Sequence, residues 1–290
     1  AIVEGMVKVF KEKLGTNISV SVEDRSCAHT REIYPHLDII PAVSWGQKLS
    51  LYVIAICTRI RKTTLFRLFP VRTAMQTFNS KGADVVISSG GTYFTDKYPV
   101  VDRLARIAMS RASGVPTVLY TQSIGPLTKE YTRKVCARAW ADVDLIFVRD
   151  SPSEEIVRSL GVASERVMQR PDAAFALVDV EAVNRRKTEE VLDGRRLAVS
   201  VREWRMPPPE GDDFVSRYLR GFQKLLDCAV KEYGFQVTLI STCQGLDFYW
   251  YDDAVFAQQV VEGLDAETRE NVIIDGEFRT PNEFISKMQV

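Results

Sequence analysis

The sequence predicts an α/β fold made of two Rossmann-like domains in series, each built on a parallel sheet. Three observations predict it. Short β-branched runs alternate with amphipathic stripes of roughly 10–15 residues, the length a parallel strand needs for a right-handed crossover. The runs end in turns rich in glycine, hydroxyls and arginine. One polar stretch, Val183-Asn-Arg-Arg-Lys-Thr-Glu-Glu190, interrupts the alternation and sets the expected domains at 1–185 and 186–290.

The elements follow in order. Ile2, Met6, Val9, Phe10 and Leu14 trace one face of an opening helix, and Ile18 to Val22 reads as a strand. Ser50 to about Ser80 is mostly helical in pattern, with a break near Pro70. Ala83 to Ser89 reads as a buried strand ending in Gly90-Gly91. Val101, Leu104, Ile107 and Ala108 form a helical stripe closed by Gly114. Strands at 116–122 and 144–148 alternate with helices at 128–140 and 151–160, the last closed by Gly161, and a short strand spans 165–168. Past the polar stretch, strands are expected at 197–201, 235–241 and 272–274. Helices are expected from Phe214 to Ala229 and from Asp252 to Gly263, and Pro207-Pro-Pro209 reads as a rigid loop.

Composition narrows the function classes. The 290 residues are 46% hydrophobic and 26% charged, the balance of a globular protein with a real core. Lys+Arg and Asp+Glu number 38 each, so no bulk charge favours nucleic acid or anionic membranes, and any anion site is local. The five cysteines are widely spaced with no CxxC pair, which argues against a disulfide framework or zinc and for a reducing cytoplasm. The longest apolar run, Leu51 to Cys57, is stopped by Arg59, Arg61 and Lys62. A bilayer span needs about 20 residues. The chain opens inside a helical pattern and stops one short helix after a strand, so a fragment truncated at both ends is expected.

In an open parallel sheet, ligands sit past the carboxyl ends of the strands. The candidate residues are therefore those at the strand ends: Ser89, Gly90 and Gly91; Ser123 and Gly125; Arg149 and Asp150; Asp172; Arg202; and the Thr242-Cys-Gln-Gly245 turn. Glycines let backbone amides approach an anion, or simply let the chain bend. An arginine at a strand end is held rigidly enough to fork onto a carboxylate or phosphate. Ser151-Pro-Ser-Glu154 and Thr280-Pro-Asn-Glu283 read as capping boxes, which start many helices that bind nothing. Asp172 is placed to serve as a base, to bind a sugar hydroxyl, or to cap the next turn. His29 and His36, the two histidines, lie outside the series and read as structural. The basic, apolar stretch from Arg59 to Arg72 suits a half-buried helix or peripheral membrane contact with a lipid-linked substrate.

Asp84 to Thr92, Gln122-Ser-Ile-Gly-Pro126, Val148 to Ser153, Leu160-Gly-Val162, Pro171 to Phe175, Val199 to Arg202 and Ser241 to Gly245 come in an order that resembles the polysaccharide pyruvyl transferase family. The resemblance covers about residue 83 to the end. It implies a GT-B-like fold and transfer of a pyruvyl group from phosphoenolpyruvate to two hydroxyls of a sugar, giving a cyclic ketal in bacterial exopolysaccharide, capsule or cell-wall polymer synthesis. Arg202 matches the family's strand-end arginine, which would grip the donor's phosphate or carboxylate. Arg149, Ser89, Gly90, Gly91, Ser123 and Gly125 would complete the substrate site, with Asp172 or Asp150 as base and no metal or cofactor. The family's glycine- and asparagine-rich first turn and its Arg-x-His motif are absent from this sequence. Two other readings stand beside this one: a nucleotide-sugar-dependent glycosyltransferase of the same architecture, and a non-enzymatic cleft-binding protein.

Overall fold

The structure, a computed structural model, describes residues 1–24, 26–42, 82–112, 114–181, 184, 195–202, 213–243, 252–277 and 279–288. The helical pattern over 50–80 with its basic stretch, the Pro207–Pro209 loop and most of the polar stretch lie outside the described residues. The chain divides into two compact units, Ala1–Val178 and Asp179–Val290.

The first unit opens with helix α1 (Ile2–Leu14), which is helical as expected but buries Gly5, Met6 and Val7 and leaves Leu14 of the expected stripe exposed. Two short parallel strands follow, β1 (Ser21–Asp24) and β2 (Asp38–Pro41), with α2 (Cys27–Ile33) between them. His29 lies on α2 and His36 just beyond it. The main sheet holds β3 (Val86–Ser88), β4 (Gly91–Phe94), β5 (Thr117–Ile124), β6 (Leu145–Val148) and β7 (Val167–Gln169). Its order is β3-β5-β6-β7, every pair is parallel, and β4 pairs with β5 beyond the end of β3. Helices α3 (Val101–Ala112), α4 (Glu130–Trp140) and α5 (Ser151–Ser159) supply the crossovers. Gly114 and Gly161 adopt positive φ past the ends of α3 and α5, where a helix turns off through a left-handed residue.

The periodicity of β5 explains how this sheet is sandwiched. Leu119 enters a fully buried cluster with Phe94, Trp140, Ile146 and Val148. Its neighbour Tyr120 meets Phe10 of α1 at 5.3 Å and Phe147 at 5.5 Å, both edge-on. Successive side chains of a strand point to opposite faces, so one strand serves two layers. Phe94 and Trp140 lock the first layer at 5.2 Å, edge to face. Truncating such an aromatic costs about 3–5 kcal/mol.

Two expectations are corrected here. The run from Ala83 to Ser89 reads as a buried strand, but β3 is shorter and half-buried, and it lies at one edge of the sheet among the described residues. Helix α5 is capped by Asp150, one residue before the expected Ser151: the carboxylate accepts from the Ser153 backbone N–H at 2.8 Å, and Ser151 is already helical. The box at Thr280 is as expected. Glu283 accepts from the Thr280 N–H at 2.8 Å, and Thr280 Oγ1 accepts from the Glu283 N–H at 3.4 Å.

The second unit is a three-stranded parallel sheet of order β10-β9-β8, from β8 (Arg196–Ser200), β9 (Gln236–Ile240) and β10 (Val272–Asp275). Helix α6 (Phe214–Asp227) continues into a π-helical turn, Cys228–Glu232. The remaining helices are α7 (Asp253–Glu262), α8 (Ala266–Glu270) and α9 (Pro281–Met288). Val201, Leu226, Val237, Leu239, Phe256 and Val260 form its core. No helix among the described residues is long and apolar enough to cross a membrane.

Candidate functional site

The carboxyl ends of β3, β5, β6 and β7 bring together most of the residues singled out in the first unit. The organising feature is a break that runs across neighbouring strands at one level. β3 stops at Ser88 and β4 resumes at Gly91. Opposite that gap, the pairing of β5 with β6 slips between Leu119 and Gln122. Thr121, inside the slip, has φ 48. A β-branched residue in the left-handed region is a true outlier, and such strain persists only where the surroundings over-determine it.

Gly90 sits in the gap. A β-carbon there would fall 2.6 Å from Thr121 Oγ1, 2.8 Å from Arg149 Nη2 and 2.9 Å from the Thr121 carbonyl oxygen. Glycine is thus required by close approach. Gly91 is also crowded, by the Tyr93 ring, whose side chain folds back over it.

Arg149 is the first residue beyond β6. Its side chain is 18% exposed, and its Nη2 lies 2.9 Å from Asp172 Oδ2. The contact is an ion pair without hydrogen-bond alignment, for both Nε and Nη2 are buried with no hydrogen-bond partner among the described residues. Buried guanidinium N–H groups left this way are costly, and an anion that accepts from them would relieve the cost. The Thr121 hydroxyl, in a residue 1% exposed, is likewise buried without a partner.

The two carboxylates differ in task. Asp172 caps the short 3₁₀ helix Ala173–Leu177 by accepting from the Ala174 N–H at 2.9 Å, and it faces Arg149. Asp150 uses both oxygens locally, one for the Ser153 N–H and the other for the Ser123 hydroxyl at 3.2 Å. Burial works against its charge. Hydrogen bonds from Ser153 and Ser123, with Arg149 nearby, outweigh that and hold its carboxyl below the ordinary carboxylate value.

The other singled-out residues fall as follows. Ser89 lies in the gap, and its carbonyl accepts from the Gln122 side chain. Ser123 is inside β5 rather than past it, since the strand resumes after the slip and runs to Ile124. Gly125 turns the chain at φ +107, and a β-carbon there would strike Ile156 Cδ1 of α5 at 2.5 Å, so it packs against a helix. Arg202 is exposed, past the end of β8 in the second unit. In that unit Thr242 donates through its N–H and hydroxyl to the fully buried Asp253, at 3.2 and 3.1 Å. Gln244 and Gly245 lie outside the described residues. Sequence reasoning misses two residues: Thr121, with its strain, and Gln122, which is 0% exposed. The signal that could have found them is the polar run Thr121-Gln122-Ser123 inside a largely buried strand.

The family described as polysaccharide pyruvyl transferase matches residues 1–289. The amylovoran biosynthesis protein AmsJ of Erwinia amylovora is 25% identical over 223 residues, 74% of this chain and 53% of that protein. The chain therefore spans about half the length of that relative. Among solved structures, a putative UDP-N-acetylglucosamine 2-epimerase from Listeria monocytogenes aligns over 98% of this chain and 67% of its own, with TM-score 0.53 and 11% identity. The UDP-GlcNAc 2-epimerase from Neisseria meningitidis, bound to UDP-GlcNAc, aligns over 98% of this chain and 70% of its own, with the same TM-score and identity. At that identity the likeness speaks to fold alone, and the fold is GT-B-like.

Proposed function

The chain belongs to the polysaccharide pyruvyl transferase family, and from that premise we propose that it moves a pyruvyl group from phosphoenolpyruvate to a sugar diol as a cyclic ketal. The observation that carries this reading is Arg149: a guanidinium fixed at a strand tip, with two buried N–H groups that lack aligned acceptors. Phosphoenolpyruvate carries a carboxylate and a phosphate, and either can take a forked pair of hydrogen bonds. Arg202, past the end of β8, is kept as a separate candidate for donor binding on the family resemblance alone.

The reaction balances as follows. An acid protonates C3 of phosphoenolpyruvate, and C2 becomes electrophilic. One sugar hydroxyl forms a bond to C2 and gives its proton to a base. The C2–O bond to phosphate breaks, phosphate leaves, and the neighbouring hydroxyl closes the ring with loss of its proton. Asp172 is the base we favour. Asp150 is occupied in capping α5 and binds protons more weakly than an ordinary carboxylate. Arg149 stabilises the charge on the departing group.

The test is sugar-dependent phosphate release from phosphoenolpyruvate by the full-length protein. Arg149→Lys keeps the charge but loses the fork, and is expected to lower kcat/KM for phosphoenolpyruvate by about 100-fold. Arg202→Ala is expected to abolish turnover. Wild-type protein that releases no phosphate with any sugar acceptor, yet binds a uridine diphosphate sugar tightly, would replace this reading with a glycosyltransferase.

A further inference from the structure

The geometry points to Gln122 as the positioning residue of the arginine site, an inference that rests on reading Arg149 as the donor-binding group. Gln122 is 0% exposed in the middle of the sheet. Its Nε2 donates to the Ser89 carbonyl at 2.6 Å and to the Ser88 carbonyl at 3.3 Å. Those carbonyls mark the gap between β3 and β4, immediately before Gly90. Its own backbone carbonyl accepts from the Arg149 N–H at 3.0 Å. In the ladder it stands opposite Gly91 on one side and Val148 on the other. One residue thus ties both walls of the site, the glycine gap by its side chain and the arginine strand by its main chain.

The chemistry of the contact requires a donor. Both partners are carbonyl oxygens, so the amide must present nitrogen, since the reversed amide would set oxygen against oxygen. The remaining Oε1 is buried without a partner among the described residues. A purely space-filling position in a buried strand is better served by leucine or methionine, which leave no unsatisfied oxygen. What the amide adds is fixation. It ties the backbone directly after Thr121, whose φ of 48 needs such restraint, to the end of β3. It also keeps the Gly90 gap at the distance where Thr121 and Arg149 touch it. Gln122 therefore acts through Arg149 and meets no substrate itself.

The experiment uses the full chain and two variants. Gln122→Met keeps length and volume and removes the donor. Gln122→Glu replaces the amide by an acid that donates only when protonated, and burial among carbonyl oxygens raises the pKa of that acid. The first readout needs no substrate: the Arg149 Nε–H resonance, assigned by its loss in Arg149→Lys. We expect this resonance to be lost in Gln122→Met. In Gln122→Glu it should be present at acid pH and lost as the introduced acid ionises. Ser110→Ala removes the buried Ser110–Thr117 hydrogen bond at the start of the same strand, and should leave the resonance in place. The second readout is kcat/KM for phosphoenolpyruvate, expected to fall about 100-fold in Gln122→Met, with KM for the sugar unchanged. An unaltered resonance in Gln122→Met, or a pH-independent one in Gln122→Glu, overturns the inference whatever the reaction is. Should the resonance respond as expected while wild type releases no phosphate from phosphoenolpyruvate, the positioning role stands and the proposed reaction falls.

Discussion

Replacing Gly90 by alanine asks whether the gap between β3 and β4 is a bend or a contact. Gly90 does not adopt positive φ, so its backbone can accept alanine. The obstacle is steric: the new methyl would lie 2.6 Å from Thr121 Oγ1, 2.8 Å from Arg149 Nη2 and 2.9 Å from the Thr121 carbonyl. Thr121 is buried and lies inside β5 between paired residues, so it cannot step aside cheaply. Arg149 is the more mobile neighbour and should give way, drawing its guanidinium off the site. Overpacking of this kind costs about 1–3 kcal/mol. At about 2–4 °C per kcal/mol for a domain of this size, melting should fall by roughly 2–12 °C. Turnover of phosphoenolpyruvate should fall further than stability explains, because the displaced group is the one that grips the donor. Thermal melting and steady-state kinetics on the same preparation read both effects. A Gly90→Ala protein that melts within about 1 °C of wild type and keeps full turnover would refute the close approach and, with it, the placement of Arg149.

The other perturbations test separate parts of the structure. Gly221 lies inside α6, and a methyl added there would have nothing within 4 Å among the described residues, so Gly221→Ala should raise stability by about 0.5–1 kcal/mol, the opposite sign to Gly90, measured by urea unfolding. Asp150→Ala removes the cap of α5 and the partner of Ser123, and should lower stability by about 1 kcal/mol in the same assay, whereas a purely catalytic aspartate would leave the unfolding midpoint unmoved. Asp96 contributes to acid stability. Burial opposes its charge, but hydrogen bonds from Thr128, Lys129 and Thr132 prevail and set its pKa at about 2, down from 3.8. A carboxyl depressed on folding stabilises above its unfolded pKa and loses that contribution as pH falls from about 4 through about 2. Asp96→Asn should therefore flatten the acid limb of the melting profile between those values and leave its neutral limb parallel to wild type.

Much of the fold is legible because its signals are local. Helix α1 follows from the apolar spacing of Ile2, Met6, Val9 and Phe10, and β6 and β9 from short apolar runs beside turn residues. What escapes is short or non-local. β2 holds only two β-branched residues, between an aspartate and a proline that read as turn residues, and α8 is five residues long, less than two helical turns. β4 is hidden because Gly90-Gly91 reads as an ending, whereas the strand resumes at Gly91 against the far half of β5. The cap of α5 falls one residue from its expected place because Asp150 and Ser151 both satisfy the pattern, and only the Ser153 N–H decides between them.

The site shows the same division more sharply. Arg149 and Asp172 stand out because a strand-end charge is visible in one dimension. Their pairing depends on β6 and β7 being neighbours, which the order of alternating elements predicts. Thr121 is different in kind. No sequence pattern assigns positive φ to a threonine in a strand, since propensity points the other way. Its conformation arises from fitting β5 to two partners at once, with the gap of β3 and β4 on one side and the slipped ladder of β6 on the other. The sequence bears only the conditions that permit it: Gly90, which gives the Thr121 side chain room, and Gln122, whose amide holds the gap in place. A strained residue that exists only by agreement among neighbouring strands ties the stability of the sheet to the geometry of the arginine. For that reason, variants at Gly90 and Gln122 should move melting and donor binding together, whereas Gly221 and Asp96 should move melting alone.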